Sequence, residues 1–278
     1  MSWGTAITAD ISVGTIDLRV EGPESGTPVM LLHGFPQTSL SWAQVVPRLV
    51  AAGHRVYAPD QRGYSPGARP VGVEHYGCDV LADDVIELAD ALGLDTFHLV
   101  GHDWGASVAW VVAARHGHRL RSLTAVSVPH LAAFGKALQE SEDQQAMSRY
   151  MQLFRREGQA EQVLLENDAL RLVDFYDGQV PAAAVSEYVR TLSEPGALSA
   201  ALNYYRAMQP SMGELPAVTV PTTYVWSTGD RALGRVGAEL CGDFVEADYR
   251  FVELPDVTHW IPDEAPEALA DAILHRIG

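Results

Sequence analysis

Cysteine and lysine are nearly absent from this 278-residue chain: it holds only Cys78 and Cys241, and Lys136 is its single lysine against eighteen arginines. Two cysteines so far apart exclude a disulfide-stapled scaffold and read as small core residues. Positive charge is scarce too, since 19 Lys and Arg face 36 Asp and Glu for a formal charge of −17. Holding a phosphate backbone or an anionic bilayer needs clustered cations, so nucleic acid and membrane are excluded as expected partners. Long apolar runs are missing as well, and a stretch such as Val108 to Ala114 is about a third of a bilayer span. The opening Met1-Ser2-Trp3-Gly4-Thr5 carries neither a basic nor an apolar leader stretch. A soluble, cytoplasmic protein is expected. The 47% hydrophobic content excludes disorder and supplies a sizeable core.

What is present is an alternation of short apolar runs with longer segments of helical period, the pattern of βαβ units and a mostly parallel sheet. Strands are predicted at 16–21, 28–33, 54–59, 96–101, 120–128, 221–227 and 249–254. Crossover helices are predicted at 39–52, 79–92, 106–116 and 266–277, where apolar residues recur every three or four positions. Between 131 and 216 the alternation stops. That stretch, broken by Gly158, Gly178, Pro181, Pro195 and Gly196, reads as several short helices inserted between sheet strands, and so as a lid. The expected organisation is a core of 1–130 and 217–278 with a helical lid of 131–216.

The sharpest local signal is Gly101-His102-Asp103-Trp104-Gly105, which closes a predicted strand and opens a predicted helix. It has the form of a nucleophile elbow with aspartate where serine hydrolases carry serine, small residues flanking a sharp turn that thrusts the central side chain above the sheet. An ordinary helix N-cap is the other role open to Asp103. His33-Gly34-Phe35-Pro36 follows an earlier strand and would bring the Phe35 N–H beside that of Trp104, a pair of donors for an oxyanion. Asp230 ends a later strand and His259 follows the last one, so the order is nucleophile, acid, base. His33 and His102 adjoin the site and are expected to brace its loops. No histidine shows metal-ligand spacing with partner acids.

Over nearly its whole length the sequence resembles the α/β-hydrolase superfamily, and within it the branch with an aspartate nucleophile. The segments His33-Gly34-Phe35-Pro36, Asp60-Gln61-Arg62-Gly63-Tyr64 and Gly101-His102-Asp103-Trp104-Gly105 are most similar to those of soluble epoxide hydrolases. The second segment continues as Ser65-Pro66-Gly67, away from the family pattern, and no catalytic role is assigned to it. The resemblance implies an α/β-hydrolase fold with an all-helical lid, no cofactor and no metal. It also implies a small apolar epoxide as substrate and a monomer or homodimer.

A carboxylate is already ionised and displaces a leaving group at saturated carbon, giving an ester on the enzyme that a histidine-activated water hydrolyses. The leaving group separates the subclasses. Haloalkane dehalogenases hold halide with the Trp after the nucleophile plus a lid Trp or an oxyanion-loop Asn. Here Phe35 stands at the Asn position and no tryptophan lies between Trp110 and Trp226. Fluoroacetate dehalogenases carry Arg where Trp104 stands. Epoxide hydrolases instead protonate an alkoxide from two lid tyrosines. Leu202-Asn203-Tyr204-Tyr205-Arg206 resembles one lid motif and nominates Tyr205; Tyr150-Met151-Gln152-Leu153-Phe154 resembles the other and nominates Tyr150. Tyr176, Tyr188 and Tyr204 are the alternatives in another register. The expectation is an epoxide hydrolase with Asp103, Asp230, His259, Tyr150 and Tyr205 catalytic. A haloalkane dehalogenase and a catalytically silent ligand-binding fold are the rivals.

Overall fold

The computed structural model describes residues 3–209 and 214–278. One eight-stranded sheet forms its centre: β1 (Thr5–Ile11), β2 (Gly14–Glu21), β3 (Thr27–Leu32), β4 (His54–Pro59), β5 (Phe97–His102), β6 (Leu120–Val126), β7 (Thr222–Ser227) and β8 (Tyr249–Leu254). The spatial order is β1-β2-β4-β3-β5-β6-β7-β8; β2 runs antiparallel to both neighbours and all other pairings are parallel. Every residue of β5 and of β7 is buried. Helices cover both faces of such strands, which is why they read as continuous apolar runs rather than as alternation. The helix Trp104–Arg115 is buried all the way from Trp104 to Ala113, so its apolar residues wrap the whole helix instead of one stripe.

Two expectations need correction. β1 was not predicted, because its residues are mostly exposed at the sheet edge, where no buried face imposes a period of two. The expected helix 39–52 divides into a 3-10 turn, Ser39–Trp42, capped by the Thr38 hydroxyl, and a helix, Val46–Ala51, whose first turn contains Pro47. The other crossover helices, Cys78–Ala91, Trp104–Arg115 and Pro266–Ile277, lie close to their expected bounds.

Between β6 and β7 the described chain is helical, in the segments Leu131–Glu140, Glu142–Met147, Met151–Phe154, Gln159–Asp174, Ala182–Leu192 and Ala197–Arg206. The expected lid also includes 210–213, which lie outside the described residues. Gln159–Asp174 is interrupted at Glu166, and Asn167, Asp168 and Ala169 there have positive φ. The loop after β4 fastens Ala197–Arg206 to the sheet. Tyr204 donates its hydroxyl to the Arg62 carbonyl at 2.8 Å, and the Arg62 guanidinium makes two 2.6 Å bonds to the carboxylate of Asp84 on the helix Cys78–Ala91. No described helix is long and apolar enough to cross a membrane.

Candidate active site

Four loops meet above the carboxyl ends of β3, β5, β7 and β8, the edge where parallel sheets of this kind bind ligands. The approach of the first two loops leaves no room for a side chain: a Cβ at Gly105 would run into the carbonyls of Leu32 and His33, and one at Gly34 into the Asp103 side chain. Asp103 itself has φ 53° and ψ −120°, a conformation non-glycine residues rarely hold, and it makes no capping hydrogen bond. The N-cap role is thereby excluded. Its carboxylate accepts the Phe35 N–H through Oδ1 at 2.7 Å, and the nearby backbone of Trp104 also favours its ionised form. Oδ2 lies 3.4 Å from Nε2 of His259.

His259 Nδ1 donates to Oδ2 of Asp230 at 2.8 Å, and Oδ1 of Asp230 accepts the N–H groups of Ala232 and Leu233 at 2.7 and 3.0 Å. Burial disfavours an imidazolium here, yet Asp230 and Asp103 outweigh it and raise His259 to about 10. For Asp103 burial works against ionisation, but the hydrogen bond and charge of His259 prevail and hold it below the usual carboxylate range. The resting pair is therefore carboxylate and imidazolium. His102 donates from Nε2 to the His259 carbonyl at 2.9 Å, and burial pushes it down to about 4, so it stays neutral. His33 accepts the Gln61 N–H at 3.1 Å and donates to the Gly34 carbonyl at 3.0 Å. Both histidines brace loops.

Asp103 and His259 open into a cavity of about 680 Å³ beneath the inserted helices. Its apolar wall is made by Phe35, Phe154, Phe175 and Trp260, and its outer part carries Arg171 and Arg231 among acidic side chains. Arg231 pairs with Asp177 at 2.7 Å across that rim. Tyr150 and Tyr205 both line the cavity with Asp103, their ring centroids 6.1 Å apart. Burial, followed by the Asp103 carboxylate for Tyr150 and by Tyr150 and Asp103 for Tyr205, raises both phenols, so each keeps its proton. The three alternative tyrosines do not line this cavity. Tyr176 donates to the Pro36 carbonyl at 2.8 Å, Tyr204 to that of Arg62 at 2.8 Å, and Tyr188 packs on Tyr176.

All seven residues nominated from the sequence thus lie together: Asp103, Asp230 and His259, the lid phenols Tyr150 and Tyr205, and the backbone donors of Phe35 and Trp104. Sequence reasoning missed the aromatic wall and the rim pair Arg231–Asp177. Trp260 and Arg231 each directly follow a triad residue, which was the one available signal.

The family profile described as alpha/beta hydrolase fold matches residues 27–266. An AB hydrolase superfamily protein, YfhM, of Bacillus subtilis is 35% identical over 95% of this chain and 94% of its own length. Epoxide hydrolase 2 of Caenorhabditis elegans is 30% identical over 89% of this chain and 72% of its own. A solved structure from work on novel epoxide hydrolases in metagenomes from hot environments superposes with a TM-score of 0.88 at 28% identity, over 100% of this chain and 99% of that one. The matched profile, the sheet order and the four converging loops lead to one conclusion: this chain belongs to the α/β-hydrolase family.

Proposed function

We propose that the chain is an epoxide hydrolase that opens its substrate through a covalent ester on Asp103, beneath a helical cap of 131–216 carried by a core of 1–130 and 217–278. The observation that carries this reading is the pairing of two protonated phenols, Tyr150 and Tyr205, with an ionised Asp103 in one cavity. Similarity to proteins named epoxide hydrolases supports it. Oδ2 attacks an oxirane carbon, the C–O bonding pair passes to oxygen, and a phenol proton neutralises the alkoxide. Esterification removes the negative charge that helps hold the proton on His259, so the imidazolium gives it up to the phenolate. The neutral imidazole then takes a proton from water as that water attacks the ester carbon. Oδ1, held by the Phe35 N–H with the Trp104 backbone nearby, carries the oxyanion; the ester C–O bond then breaks, and the departing alkoxide takes the proton of the newly formed carboxylic acid, which releases the diol and restores the carboxylate. A halide would need weak donors instead, and of the usual clamp only Trp104 is at hand. A silent binding module would have no use for a base and acid so arranged.

The test is turnover of styrene oxide to its diol by the wild type and by His259→Gln. The variant should release little diol and gain one substrate mass, seen by intact-protein mass spectrometry. Failure of the wild type to open any of a panel of terminal and internal epoxides would overturn the reading.

A further inference from the structure

A second, much smaller chamber adjoins the reacting groups. It holds about 30 Å³, against about 680 Å³ for the main cavity. The two chambers have Asp103, Tyr150 and Tyr205 in common. Beside Trp104 and Ser107 of the helix after β5, the small one is lined by apolar side chains from separate parts of the fold: Val128 after β6, Leu131 and Phe134 on the first inserted helix, Met151 beside Tyr150, Met208 after Ala197–Arg206, and Leu233 beyond Asp230. Val128, Leu131, Phe134 and Leu233 are all buried, so the chamber sits in packed core that yields little to an oversized group.

We infer that this chamber is the subsite for the smaller end of the substrate, and that the enzyme selects epoxides with one bulky apolar arm and a second carbon bearing only hydrogen or methyl. The inference rests on the epoxide reading. An oxirane whose carbon faces Asp103 and whose oxygen faces the two phenols lies across the line between them. Because both chambers meet at Asp103, Tyr150 and Tyr205, the substituents of its two carbons are shared between a wide space and a narrow one. The wide side, walled by Phe35, Phe154, Phe175 and Trp260, takes an aryl or long alkyl group. The narrow side has no volume for a second ring. A trans-1,2-diaryl epoxide would have to displace packed side chains before its carbon could reach Oδ2, which costs more in the transition state than binding returns.

The experiment compares kcat/KM for styrene oxide and trans-stilbene oxide in the wild type, in Met208→Ala and in Leu131→Ala, with melting curves for each. The wild type should favour styrene oxide by about a hundredfold or more, the scale of a few kcal/mol of steric discrimination. Met208→Ala and Leu131→Ala, each emptying part of the small chamber, should narrow that ratio about tenfold. If Leu131→Ala does not fold, Met208→Ala, at the end of a lid helix, decides alone. Wild-type turnover of trans-stilbene oxide as fast as that of styrene oxide would overturn the subsite while leaving the epoxide reading intact, as would a ratio unmoved by Met208→Ala. Turnover of neither by a wild type that opens other epoxides of the panel would overturn the subsite alone, and failure across the whole panel would overturn the epoxide reading with it.

Discussion

Nε2 of His259 lies 3.4 Å from Oδ2 of Asp103, while Oδ1 of the same carboxylate is held at 2.7 Å by the Phe35 N–H. The two oxygens of one side chain are thereby unequal. One lies toward the His259 ring and the other is held by a backbone donor; in the proposed mechanism the first attacks and the second becomes the oxyanion. The same contact ties the charge state of the histidine to that of the aspartate.

Replacing Asp103 by asparagine removes one of the two negative charges that favour the imidazolium. His259, at about 10 in the resting protein, should titrate lower by about one to three pH units, the range for loss of a neighbouring opposite charge. The sign follows because burial alone favours the neutral ring. Histidine 15N chemical shifts followed against pH measure this. An unchanged titration would mean that Asp230 alone sets the proton affinity.

Tyr205→Phe and Tyr150→Phe should each slow alkylation about ten- to a thousandfold, the cost of losing a transition-state donor. Stopped-flow fluorescence under single-turnover conditions reads that step directly. Melting temperatures should change little, since each ring keeps its aromatic neighbours, Trp104 and Phe154 for Tyr205 and Phe154 for Tyr150. Alkylation at the wild-type rate in either variant would remove that phenol from the mechanism.

Arg62→Met should destabilise the fold by about 3–5 kcal/mol, because it strands the largely buried Asp84 carboxylate that Arg62 now holds at 2.6 Å. Replacing Arg62 and Asp84 together by methionine and leucine should recover most of that loss. Urea denaturation measures both. A single variant within about 1 kcal/mol of the wild type would mean that solvent reaches Asp84 and shields it.

The meeting of Asp103, Asp230, His259 and the loops of Phe35 and Trp104 was legible in the sequence because each stands in a short motif at a strand end, and a parallel sheet brings such ends together. The choice among tyrosines was not legible from spacing. Tyr204 and Tyr205 are adjacent on one helix and so point about 100° apart; one reaches the Arg62 carbonyl and the other the cavity, a difference only the packing of that helix decides. Resemblance to a lid motif supplied what periodicity could not. The two chambers were invisible for a related reason. Val128, Met208 and Leu233 come from three distant segments, and no local pattern records the distance at which their side chains stop. The loop Asp60-Gln61-Arg62-Gly63-Tyr64, given no catalytic role, proves to be a clamp on the lid helix.

Covalent attack by Asp103 is the central claim, and the fate of oxygen tests it most directly. One turnover of styrene oxide with excess enzyme in heavy-oxygen water is followed by mass spectrometry of the diol and of the peptide containing Asp103. If Oδ2 attacks carbon and water then attacks the ester carbonyl, the first diol is mostly unlabelled and the Asp103 peptide gains the heavy isotope. Labelled diol beside an unlabelled Asp103 peptide would instead show direct hydration by His259-activated water and contradict the nucleophile assignment, even if Asp103→Ala were inactive.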